Sequence, residues 1–218
     1  MDISIISSLL VLQVILFGTA FVLDLARRNE QLVWLYGIQS LAVSAILMLL
    51  GWSGHSWVLF TIVGATILIK VILVPGVLMR LIKKHQMYFT APAYLNTPTM
   101  FGAMLLLVLA VYSSLSPILS RIAPGEGGLF YLSISAFFVS LFLAINRKGA
   151  FSQIIGILSA ENAIVVCAAL MNIHTELWLE LGILADIFAW LLIGSTFVEV
   201  VSKHFGTTDV SSMKELAE

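Results

Sequence analysis

Seven runs of about 20 mostly apolar residues divide this chain, and each is long enough to cross a bilayer. They lie near residues 3–24, 32–52, 57–79, 98–119, 128–145, 152–172 and 177–201. Inside hydrocarbon a backbone must satisfy its own hydrogen bonds, which a single run achieves as a helix. Composition agrees: 60% of the residues are hydrophobic and 11% charged, about half the charge of a soluble domain. Mean hydropathy is +1.06. A soluble domain could not hide that much apolar surface, which excludes a cytosolic enzyme, a nucleic-acid binder and a disordered chain. The expectation is an all-α integral membrane protein with about seven transmembrane helices, multi-pass in the cell inner (plasma) membrane.

Punctuation between the runs fits this division. Pro98 is placed to open the fourth span, in the first helical turn, where its missing N–H costs nothing. The stretch Ala123-Pro124-Gly125-Glu126-Gly127-Gly128 reads as a turn before the fifth. The first run follows Met1-Asp2, without positive charge, and outlasts a signal-peptide core, so it is read as a retained helix.

Basic residues set the direction. Arg27, Arg28, Arg80, Lys83, Lys84, Arg147, Lys148, Lys203 and Lys214 all follow odd-numbered spans, and only Arg121 falls on the opposite side. This bias places the N-terminus outside and the C-terminus in the cytoplasm. Trp52 and Trp57 bracket the short outer loop Ser53–Ser56, as interfacial aromatics do.

A weak repeat organises the spans. Gly37 in the second span matches Gly156 in the sixth, and Gly64 in the third matches Gly182 in the seventh, at nearly the same offset. The pattern suggests two parallel three-helix units, spans 1–3 and 5–7, joined by a linker helix. The corresponding regions are 1–85, 86–127 and 128–204, followed by a cytoplasmic tail at 205–218.

Chemistry is sparse. The single Cys167 cannot form an internal disulfide or hold an iron–sulfur cluster, and it reads as a small packed residue. The four histidines are scattered near loops, so no metal site and no bound cofactor are expected. There is no phosphate loop and no nucleophile motif. The informative residues are ionisable ones within spans: Lys70 in the third, Glu161 in the sixth and Asp186 in the seventh. By helical rise all three sit within about 5 Å of mid-span, and Gln39 is about as central in the second. A Lys or Asp at a helix centre costs roughly 2.5–3.5 kcal/mol to insert, so such residues persist where they pair or carry ions. Pro75, five residues after Lys70, cannot donate to the carbonyl of Val71 and predicts a helix kink. Two readings follow: Lys70 is locked in a permanent pair with Glu161 or Asp186, or the three form an ion-translocation relay with Gln39 as a hydrogen-bonding member.

Several short motifs carry a resemblance. Leu35-Tyr36-Gly37-Ile38-Gln39-Ser40-Leu41, Lys70-Val71-Ile72-Leu73-Val74-Pro75, Glu161-Asn162, Glu180-Leu181-Gly182-Ile183-Leu184-Ala185-Asp186 and His204-Phe205-Gly206-Thr207-Thr208-Asp209 follow one another in an order that resembles the hydrogenase-4 component E family. These are membrane subunits of formate hydrogenlyase-type and related group 4 complexes, similar to the small K-type antiporter-like subunit of respiratory complex I. The resemblance implies a non-catalytic subunit of a proton- or sodium-translocating redox complex. Its implied partners are large antiporter-like membrane subunits and a coupling membrane subunit, within the lipid bilayer and with no nucleic acid. The complex I subunit carries a membrane glutamate shortly after a Gly-Leu. Here Gly37-Ile38 is followed by Gln39, which cannot titrate, so the role is carried over without the geometry. The rival expectations are a spacer that seals the membrane arm with permanently paired charges, and a stand-alone secondary transporter.

Overall fold

The computed structural model describes residues 3–54, 57–122 and 127–171. The expected seventh span at 177–201, with Asp186, lies outside the described residues. The chain forms α1 (Ile3–Leu25), α2 (Asn29–Gly54), α3 (Trp57–Thr66), a π-helical segment (Ile67–Leu73), α4 (Val74–His85), α5 (Thr97–Ile122), α6 (Gly127–Asn146) and α7 (Ala150–Leu170). α3, the π segment and α4 run on as one span. Six spans among the described residues are long and apolar enough to cross a membrane, the signature of a multi-pass membrane protein. The third, Phe60–His85, runs past the expected end at 79. Arg80, Lys83 and Lys84 therefore sit on the last turns of a helix rather than in a loop. A basic end suits the negative pole of the helix dipole and lets long side chains reach headgroup depth.

Local chemistry accounts for the breaks. Asn96 caps α5: its side-chain oxygen accepts the backbone N–H of Thr99 at 3.1 Å, and Pro98 falls in the first turn as expected. The kink expected at Pro75 takes the form of a π turn. Pro75 offers no N–H, and the Val74 N–H bonds back five residues to the Ile69 carbonyl. Widening the turn by one residue resets the helix faces, and Lys70 is the residue the segment buries.

α1, α2, α6 and α7 form the centre, α1 packing on α2 and α6, and α7 on α6 and α2. The third span lies along α2, and α5 lies along α6. The repeat-matched glycines meet different neighbours. A Cβ on Gly37 would stand 3.9 Å from the Pro75 ring, whereas one on Gly156 would stand 2.7 Å from the backbone N of Ala144 in α6. Gly156→Ala therefore forces α6 and α7 apart, because backbone cannot yield as a flexible side chain does. A loss of about 1–3 kcal/mol is expected, read as earlier unfolding in detergent, while Gly37→Ala in ordinary contact is tolerated.

Three connections meet at one end of the bundle. The strap at residues 86–96 crosses both helix turns there. The Thr90 N–H donates to the Arg27 carbonyl at 3.1 Å, the Asn29 N–H to Tyr88 at 3.1 Å, the Tyr94 N–H to Asn146 at 2.8 Å and the Lys148 N–H to Pro92 at 3.2 Å. Asn29 adds side-chain bonds to the Met87 and Phe89 carbonyls at 2.8 and 3.1 Å. The basic residues Arg27, Arg28, Arg147 and Lys148 are thereby gathered at this end together with the basic end of α4.

Candidate functional site: a charged belt between two apolar layers

The core is two apolar clusters with a polar belt between them. On the strap side lie Leu23, Tyr36, Val74, Leu143 and Leu158. On the other side lie Leu16, Val43, Val63, Val139 and Ala163. Between them four elements turn polar residues inward: Gln39 and Ser40 from α2, Lys70 from the π segment, Ser140 from α6, and Ser159 and Asn162 from α7, all buried. Small hydroxyl and amide side chains let these helices approach closely and bond across the gap.

Lys70 is the hub. Its ammonium lies 3.3 Å from Glu161 Oε1 and donates to Asn162 Oδ1 at 3.0 Å. The amide of Asn162 then donates to Ser40 Oγ at 3.1 Å and toward Gln39 Oε1 at 3.4 Å. The amide of Gln39 points to the Leu16 carbonyl of α1 at 3.5 Å, the weak end of the series. Beside it, Ser140 and Ser159 share a hydrogen bond of 2.7 Å between α6 and α7. The belt thus joins α1, α2, the π segment and α7. It can hold charge at mid-depth because each polar group answers another rather than hydrocarbon. Lys70 is 2% exposed at its side chain and Glu161 18%, so Glu161 is the end of the belt that reaches the bundle flank.

Of the residues expected to cooperate, the structure brings Lys70, Glu161 and Gln39 into one network. Asp186 lies outside the described residues. Asn162, which the sequence marks only as part of the Glu161-Asn162 motif, proves to be the bridge between Lys70 and Gln39.

A second polar centre was not anticipated. Arg147 is 6% exposed rather than a solvated loop base. Its guanidinium donates to the carbonyls of Asp24 and Ala26, the latter at 2.8 Å. It also reaches Thr90 Oγ1 at 3.3 Å and the Ala91 carbonyl at 3.4 Å. Burial lowers the pKa of Arg147 from its ordinary value, and the buried carboxyl group of Asp24 opposes that shift. One signal was present in the sequence. Asp24 sits in the last turn of an apolar helix, where the dipole disfavours a negative charge, so a cation had to be near. Among the described residues, no cluster of three His, Cys, Asp or Glu side chains could hold a metal ion.

No family model matches the chain, and no solved structure matches it. It is similar to "Uncharacterized protein Rv0085" of Mycobacterium tuberculosis, with 24% identity over 205 residues and 91% of each chain covered.

Proposed function

We propose that this chain is a non-catalytic membrane-arm subunit of a proton- or sodium-translocating redox complex of the group 4 hydrogenase or formate hydrogenlyase type. In this reading it crosses the inner (plasma) membrane seven times, with its N-terminus outside and its C-terminus in the cytoplasm. It packs against large antiporter-like subunits and a coupling subunit, and binds no cofactor. Lys70, Glu161 and Gln39 belong to the ion path, and Asp186 joins them from the seventh span. One observation carries this reading: Lys70 meets Glu161 at 3.3 Å within a buried belt. Structure alone could fill these positions more cheaply with Leu. The apolar layers on both sides of the belt favour exchange through the flank, where Glu161 is partly exposed, over exchange along the bundle axis.

The same short contact favours a second reading, in which Lys70 and Glu161 never part and the subunit only seals the arm. Glu161→Gln separates the two, since glutamine keeps the shape and hydrogen bonding but cannot titrate. The assembled complex carrying it, reconstituted in vesicles, is expected to lose its ion translocation by at least about a hundredfold, the low end for removing a proton-transfer group. Normal pumping by a fully assembled complex would leave the sealing role.

A further inference from the structure

An apolar groove of about 500 Å³ runs down the outside of the third span, opposite the belt. Trp34 and Ile38 of α2 form one wall, and Ile72 and Pro75 of the third span the other. Gly37 and Gly76 leave its floor open. Trp34 is 67% exposed and Ile72 63%. The groove begins near Trp34, little more than a turn from the strapped end, and stops near mid-span at Leu41. That stretch rises about 10 Å, two-thirds of the roughly 15 Å of hydrocarbon in one leaflet. A crossing helix would need a matching surface across the whole bilayer, whereas one lipid chain needs only half.

The rim identifies the headgroup. Arg80 is four residues after Gly76, and Lys83 four after Met79, so both continue the groove-lining face of α4 and both are exposed. The α2 side of the rim carries Glu30 and Gln31, with exposed Arg27 and Arg28 before the helix start, so the bases on the groove-lining face itself come from α4. A tryptophan at the mouth and two bases beyond it match the depth order of acyl chain, interface and phosphate. We infer that this groove seats one acyl chain of an anionic phospholipid, with its phosphate held by Arg80 and Lys83. The chain would lie against the outer wall of the π turn whose inner side holds Lys70. This inference needs only that the helices stand in a bilayer, and it is independent of any ion path.

The test is native mass spectrometry of the full chain, released from nanodiscs of phosphatidylglycerol or of phosphatidylcholine. At about a fivefold gain per surface base, the wild type should retain phosphatidylglycerol about twenty-five-fold better than phosphatidylcholine. Arg80→Gln/Lys83→Gln should remove that preference while apolar retention persists. Gly76→Leu should lower retention of both lipids; a Cβ there meets nothing within 4 Å, so the added side chain starts in open space and enters the groove. Equal retention of the two lipids by the wild type, or a preference untouched by the double variant, would overturn the inference. So would a Gly76→Leu chain that retains both lipids at the wild-type level.

Discussion

Lys70→Met is expected to destabilise the protein by about 3 kcal/mol, the low end of the range for breaking one side of a buried ion pair. The variant keeps much of the apolar stem but withdraws the counter-charge from Glu161 and the donor from Asn162 Oδ1. The low end applies because Glu161 retains 18% exposure. Adding Glu161→Gln removes the stranded charge, so Lys70→Met/Glu161→Gln should recover about half of the loss, a coupling in the range for contacting residues. Denaturant titration in micelles measures the four corners of this cycle. Additive losses would show that the two side chains do not support each other. Pumping by the stable double variant then tests the function: a relay has lost two of its titrating groups, whereas a sealing subunit has lost nothing it needs.

Arg147→Met should cost about 3 kcal/mol, since a buried carbonyl left without its donor costs about 1–3 kcal/mol. It strips the donor from the carbonyls of Asp24, Ala26 and Ala91. The strap at 86–96 loses its central tie, so chymotrypsin should cut faster at Tyr88 and Phe89, which are exposed aromatics there. Arg147→Lys keeps the charge but not the planar fork, and should restore only part of the loss. Arg27→Gln is the control. Arg27 is exposed, and its removal should shift stability by no more than about 0.5 kcal/mol. Equal protease resistance in all three variants would mean that the strap is held by its backbone bonds alone.

The two predictions differ in how far sequence could foresee them. Lys70 and Glu161 stand out because a charge amid apolar residues is costly wherever the helix packs. Arg147 does not, since a base beside Lys148 after a span looks like any interfacial anchor. Its burial depends on the strap, which reaches it from residues more than fifty positions earlier in the chain. The π turn shows the same division. Pro75 announced an interrupted hydrogen-bond ladder, but not that the turn would widen by one residue and bury Lys70.

What the residues alone determined, then, was the number and place of apolar helices among the described residues and which side chains are too polar for lipid. Those properties are local: about twenty apolar residues make a span, and one charge within it demands a partner. Which partner that is, Glu161 and Asn162 for Lys70 and the backbone carbonyls of Asp24 and Ala26 for Arg147, only the tertiary structure decided. Helices that are apolar on every side carry no polar stripe to say which face turns inward. That choice rests on close approaches such as Gly156 against Ala144, where the fit of one helix on another outweighs anything a single helix encodes.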